Sequence, residues 1–586
     1  MFDTVIAGGT IVDGTGAPPF TADIGIIDGR IAEIGTITAP ARRTVDARGA
    51  VVTPGFIDIH SHYDGQFLWD DRMDPSFSHG VTTALAGYCG VGFAPVGQHR
   101  QQLMELMEGV EDIPEIVLEE GLAWDWESYP EYLDRLAERR YTMDIGSNIA
   151  HAPLRVYVMG ERALRHEAAT PEDIEKMAAL VREAMAAGAV GFSNGRITTH
   201  YSSKGAQVPG TFADDDELHA LARAMGESGR GVFQMIPKGA NGAAVTEPLG
   251  REGRLAEHRR LEAIARAAGR PVTYTLFEFA ADPGDCAVLA EESRRARAEG
   301  LDLRPQTSPR GLGAVQMLDT YHVFVRRPSY RAIAHLPLAE RAAAMRDPAR
   351  RAAILGEADV DGEFAGNPAV LKMLNGAMAR LPGTYVLTDP LDCEPTEDRK
   401  VGALAAAAGQ TPDAFIYDHY ARGDGSNYNI SFALNYPEGS LDHVHAMLQD
   451  PGIMIGLSDG GAHMRIICDA SMPTFQLAFW ARDRKRGPTV PLELAVHKLT
   501  GAPAELYGFA DRGTLAVGKR ADINVIDFDR LGLLPPRFVR DLPSGGGRLQ
   551  QDSVGYLATF VAGEMTRCND VETGARPGRL LRHLDA

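Results

Sequence analysis

Two histidines one residue apart end the run "GFIDIHSHYDGQ" (residues 55–66), directly after the apolar "AVVTP". Side chains alternate along a strand, so His60 and His62 project to the same side. Two neutral imidazoles converging there make half of a metal site; the alternative is a polar turn behind a buried strand. Cys89, in "AGYCGVGFAP", ends another apolar run between glycines. A thiolate at that place is a soft ligand for zinc, whereas the plain alternative is a buried structural cysteine. Asp459, in "IGLSDGGAH", follows an apolar run and precedes a glycine pair. A carboxylate there can bind a metal and accept a proton from water; the other reading is a turn or cap aspartate.

These residues need elements that bring strand ends together. The first segment reads as short strands joined by turns such as Asp13-Gly14 and Asp28-Gly29, a small β module ending near Pro54. After Gly55, apolar β runs alternate with helical stretches. Candidate strands are "FIDIH", "TTALAGY", "DIGSNIA", "AVGFS", "GVFQMI", "VTYTLF", a weaker one near "LDLRPQ", and "IMIGLSD". The helix "PEDIEKMAALVREAMAAG" starts after Thr170 with Pro171 in its first position and ends at Gly188. This pattern predicts an α/β fold, a (β/α)8 TIM-like barrel over 55–510, whose chemistry sits at the C-terminal strand ends. The stretch of about 306–410 exceeds an ordinary connection and is expected to insert over the barrel mouth, with "TYHVF" and Tyr330 lining a pocket. From Gly513, "RGTLAVGKRADINVIDFD" returns to the texture of the first module. A small β-sandwich domain from 1–54 and 511–586, with a C-terminal extension, is therefore expected.

The runs "PGFIDIHSH", "GLSDGG" and "GTLAVGKRADINVID" together resemble the amidohydrolase superfamily. "HSHYDGQ", "GYCGVGFAP" and "GAVGFSNG…VPGTFADDDEL" resemble, more narrowly, the N-acyl-D-amino-acid deacylases (D-aminoacylases), over nearly the whole chain outside the insertion and tail. The resemblance implies zinc held by His60, His62, Cys89 and Asp459, with Asp459 as the catalytic base. It also implies histidines on strands five and six. Here Gln234 and Glu278 stand near those places, so one principal Zn2+ site is expected rather than two. No lysine follows "AVGFS", so a carboxylated lysine bridge is not expected. The family's His-Pro-Arg motif is echoed by His463 and Arg465, with Met464 in place of proline; Arg465 either faces the substrate carboxylate or forms a structural ion pair. His151, in a place where the family has a Gly-His pair, is a candidate to position substrate. Arg196 and His200 are candidates to enter the cleft, with loop solvation as the alternative. His443 and His445 read as helix surface.

The chain has 586 residues, a formal net charge of −20, 44% hydrophobic and 24% charged residues. This is a soluble globular balance whose sign disfavours nucleic acid and anionic membranes. Five scattered cysteines and an N-terminus without a basic, apolar leader pattern make a cytoplasmic location the expectation. The expected function is zinc-dependent hydrolysis of a non-peptide C–N (amide) bond in a small N-acyl amino acid, of the D series by resemblance. No nucleic-acid or membrane partner is expected, and a homo-oligomer is left open. The alternatives are a cyclic amide hydrolase of hydantoinase or dihydroorotase type, and a metal-free scaffold of the same fold.

Overall fold

The computed structural model describes residues 1–240, 249–281, 283–387 and 391–582. Both ends of the chain build one nine-stranded sheet. Its middle is the antiparallel pairing of Val51–Pro54 with Ile523–Ile526. Phe2–Ile11, Phe20–Ile27 and Arg30–Gly35 continue it on one side, Tyr556–Val561, Glu564–Cys568 and Val571–Glu572 on the other; Ala41–Asp46 pairs in parallel with Phe2–Ile11. Ile6, Ile24, Ile26, Val52, Ile523, Val525 and Phe560 form its buried face. Asp28 and Gly29 make a two-residue turn with φ of 49° and 73°, the left-handed pair that matches the twist of a hairpin. A Cβ on Gly29 would lie 2.6 Å from the Ala562 carbonyl oxygen, so the turn also needs glycine to pass the turn between Tyr556–Val561 and Glu564–Cys568.

Between those ends, each predicted β run forms a strand of a parallel sheet. Phe56–Asp58, Val81–Ala86 and Asp144–Ser147 make a three-stranded sheet. Ile149–Ala150, Gly191–Gly195, Val232–Ile236, Val272–Thr275, Leu303–Thr307 and Met454–Ile455 follow in a six-stranded one, each beside the next in sequence. The chain passes from the first sheet to the second at Asn148, whose N–H donates to the Ala86 carbonyl at 2.9 Å. Beyond the last strand, Gly460 forms a parallel bridge with Ser61, beyond the first. His60 and Asp459 therefore lie side by side, with the Asp459 N–H donating to the His60 carbonyl at 3.2 Å.

Helices cover these strands, and Pro171–Ala187 shows why they start and stop where they do. The Thr170 hydroxyl accepts from the Asp173 N–H at 3.2 Å, while the Asp173 carboxylate accepts from the Thr170 N–H at 2.9 Å. Gly188 ends the helix at φ 114°.

The long connection between Thr307 and Met454 folds around a core of its own, containing Phe324, Tyr330, Ile354, Tyr417 and Tyr420. Its antiparallel sheet places Asn429–Leu434 between Leu312–Gln316 and Tyr385–Val386. Tyr330 is buried in that core with its hydroxyl donating to the Leu318 carbonyl, so it does not line a pocket as expected. Tyr321 is different: its hydroxyl donates to Asp112 at 3.0 Å, reaching the elements around the strand ends. Among the described residues no helix is long and apolar enough to cross a membrane.

Candidate metal centre

His60, His62 and Cys89 are buried together, and their ligand atoms all lie within 4.8 Å of one another. The Cys89 Sγ is 3.3 Å from His60 Nε2 and 3.5 Å from His62 Nε2. Asp459 Oδ1 faces the same nitrogens, at 3.5 Å from His60 and 3.7 Å from His62. Two of these residues sit in the left-handed backbone region, Cys89 at φ 58° and Asp459 at φ 47°. Such conformations cost of order 1–3 kcal/mol for a non-glycine residue and concentrate at functional sites. The glycines around Cys89 make the turn possible. A Cβ on Gly90 would lie 2.6 Å from the Gly195 nitrogen, at the end of the strand Gly191–Gly195. The Cys89 N–H donates to Gln234 Oε1 at 3.3 Å, which further holds the loop.

Burial dominates the electrostatics. It pushes the His60 imidazole down to about 4 and His62 well below its usual value, so both rings are neutral donors of a lone pair. Burial, with the Glu111 and Asp459 carboxylates nearby, pushes the Cys89 thiol well up. Burial, then Asp469 and Asp58, raises Asp459 to about 8. A group of desolvated nitrogen, sulfur and carboxylate donors is matched by a divalent cation of borderline softness, and the set fits zinc.

Two supporting residues were not singled out in the sequence. Gln306, on Leu303–Thr307, takes the Nδ1–H of His60 on its Oε1 at 2.8 Å. Only its place at the end of a parallel strand marks it. Glu111 is buried 3.4 Å from His62 Nδ1, on the side of the ring away from Cys89. It ends the helix Arg100–Glu111, and no motif or spacing points to it.

The other predicted residues have varied surroundings. His463 and Arg465 flank the centre. His463 Nε2 is 3.5 Å from Glu111, and Arg465 donates to Asp112 at 2.7 Å while lying over the Tyr321 ring. His151 and Arg196 each have buried partners of their own. His151 accepts from the Asn194 amide at Nδ1 and contacts Glu217 through Nε2, both at 2.7 Å, which leaves neither nitrogen for a substrate. Arg196 is buried and paired with Glu257 at 3.0 Å. His200 keeps a buried Nδ1 with no hydrogen-bond partner among the described residues. Glu278 accepts from the Gly284 N–H at 2.7 Å, and His443 Nε2 donates to the Asn435 carbonyl at 3.1 Å. His445, half-buried on the helix Asp442–Gln449, lies against the Trp480 ring and beside Gln449.

The parallel strands and this donor cluster define a protein of the amidohydrolase kind. The family's sequence profile matches residues 43–566, and the chain belongs to the amidohydrolase family. It is 29% identical to the D-aminoacylase of Alcaligenes xylosoxydans xylosoxydans, over 100% of this chain and 98% of that protein. It is also 29% identical to the N-acyl-D-glutamate deacylase of the same organism, over 99% and 96%. Among solved structures, a D-aminoacylase with a binuclear metal centre superimposes with a TM-score of 0.65 at 23% identity, covering 99% of this chain and 100% of that one. An N-acyl-D-glutamate deacylase from Bordetella bronchiseptica, complexed with zinc and a phosphonate mimic of the tetrahedral intermediate, gives 0.63 at 25% identity, covering 99% of each.

Proposed function

We propose that the protein is a zinc-dependent hydrolase that cleaves N-acyl-D-amino acids to a carboxylate and a free amino acid. The observation that carries this reading is the convergence of His60, His62, Cys89 and Asp459 at the ends of parallel strands. His60 Nε2, His62 Nε2, Cys89 Sγ and Asp459 Oδ1 would hold zinc at one principal position. When bound, zinc supplies Lewis-acid polarisation of an amide carbonyl. One principal position is favoured because Gln234 and Glu278, which stand near the family's further histidines, instead hold the backbone amides of Cys89 and Gly284. In the same reading 55–510 is a (β/α)8 barrel carrying the long insertion, and 1–54 with 511–586 is the small β domain.

The chain's own groups then divide the work. Gln306 orients His60, and the neutral rings present their Nε2 atoms to the centre. Asp459 accepts a proton from the attacking water and returns it to the departing amine, the acid–base role a carboxylate at the centre can fill. Arg465, partly exposed and paired with Asp112, is the residue this reading assigns to the carboxylate of an N-acyl amino acid; if it does not meet substrate, that pair is its structural role. The test joins metal analysis to a hydrolysis screen over N-acyl-D- and N-acyl-L-amino acids, with hydantoins and simple amides as controls. The expected result is about one zinc per chain and release of D-amino acids. A protein without stoichiometric zinc would be a scaffold, and ring opening alone would make it a cyclic amide hydrolase.

A further inference from the structure

Glu111 is a buried charged group that neither the fold nor the proposed chemistry has so far accounted for. Its side chain is buried, and neither carboxylate oxygen has a hydrogen-bond partner among the described residues. Burying a carboxylate costs several kcal/mol unless donors compensate it. The two nearest donors are imidazoles: His62 Nδ1 at 3.4 Å from Oε1, and His463 Nε2 at 3.5 Å from Oε2. His62 Nδ1 is itself buried with no hydrogen-bond partner among the described residues.

The backbone ties the same residues together. The His463 N–H donates to the Glu111 carbonyl. The next residue, Asp112, turns at φ 52° and accepts from the Arg465 N–H at 3.0 Å, the Arg465 guanidinium at 2.7 Å and the Tyr321 hydroxyl at 3.0 Å. The end of the helix Arg100–Glu111 thus clasps the loop that follows Asp459, while its last side chain reaches behind His62.

We infer that Glu111 is a positioning residue, holding His62 as the Nδ1–H tautomer with its Nε2 lone pair toward Cys89 and Asp459, and fixing the His463 loop by the same carboxylate. The inference rests on the proposed zinc site. His60 receives the equivalent support from a neutral amide, Gln306. The two histidines therefore differ in basicity: a carboxylate behind His62 makes it the stronger donor. The partner is chosen by fold rather than by local sequence, because Glu111 arrives from a helix far along the chain from either imidazole.

The test is metal binding, independent of hydrolysis. Metal-free protein is titrated with zinc against a chelating dye, and with cobalt(II) followed by its visible absorption. Loss of a carboxylate behind a ligating histidine costs about 10–100-fold in metal affinity. Glu111→Leu is expected to weaken zinc by that much and to shift the cobalt spectrum. Glu111→Gln is expected to lose less, because its amide oxygen still accepts from Nδ1–H. The melting temperature of the metal-free protein is expected to change little in either variant. Wild-type affinity and an unchanged cobalt spectrum in Glu111→Leu would overturn the inference while leaving the zinc site standing. A drop in affinity that only follows a drop in metal-free stability would equally overturn it, in favour of packing. Failure of the wild-type protein to bind either metal would instead remove the proposed function, and this inference with it.

Discussion

Asp459 carries both proposed roles, metal ligand and proton carrier, and asparagine separates its shape from its chemistry. Its backbone sits at φ 47°, a region asparagine enters more readily than most residues, so Asp459→Asn is expected to fold normally. The variant cannot take a proton, and general-base assistance is typically worth roughly 10²–10⁴-fold. A loss of that size in kcat with an unchanged melting temperature is the expected outcome; near-normal turnover in a folded, zinc-loaded variant would remove Asp459 from the mechanism. Cys89→Ala tests the thiolate in the same way. It should retain far less zinc on dialysis, since the two imidazoles and one carboxylate left behind lack the softest donor; full retention would make Cys89 structural. These residues were legible because each ends a short apolar run, the place where a parallel strand delivers side chains to a common edge. Glu111 and Gln306 were not, since a supporting residue needs only to arrive near a ring and any element can supply it. His151 and Arg196 show a related effect. Their position at strand ends was read from the sequence, but the partners that occupy them, Glu217 and Glu257, come from helices packed outside the strands.

The parallel strands and the capped helix were readable because their causes are local. Thr170, Pro171 and Gly188 each act within one turn of Pro171–Ala187. Thr170→Ala removes the hydroxyl that accepts from the Asp173 N–H, and it is expected to cost about 1 kcal/mol. Chemical denaturation should show this as a lower midpoint at unchanged slope, with zinc content unaffected. An unchanged midpoint would mean that burial of this helix, not its cap, sets its contribution. The unit between Thr307 and Met454 was much less readable. Its sheet pairs Leu312–Gln316 with Asn429–Leu434 across more than a hundred residues, and its helices bury aromatic residues that read as pocket candidates in isolation. Nothing in "TYHVF" separates Tyr321, which reaches Asp112, from His322 and Phe324, which pack inward against Tyr420.

At the scale of the molecule, the sheet built from both chain ends must stay docked on the parallel strands, and His79 sits in that junction. It precedes Val81–Ala86, is fully buried, and donates from Nε2 to the Gln551 carbonyl at 2.8 Å; its Nδ1 contacts the Thr474 hydroxyl at 2.8 Å. Thr474 in turn contacts the hydroxyl of Tyr556, a residue of the nine-stranded sheet, and that hydroxyl donates to the His79 carbonyl. Burial holds the His79 imidazole at about 3, far below the 6.5 of an exposed ring. Between those values the unfolded chain binds a proton that the folded chain does not. The stability contributed by the neutral ring is therefore complete above about pH 6.5 and declines as the pH falls toward 3, by about 1.4 kcal/mol per pH unit for one group. His79→Gln keeps a donor for Gln551 but has nothing to titrate. The variant is expected to melt below the wild-type protein near neutral pH, where the imidazole packs and bonds better, and the gap should close as the pH is lowered toward 4. Other buried histidines, among them His258 and His322, are also held low and tilt both curves alike, so the gap isolates His79. Melting temperatures of the two proteins across that range decide the matter. Curves that run parallel, with a gap independent of pH, would show that His79 does not titrate on unfolding and that the junction's acid sensitivity lies elsewhere.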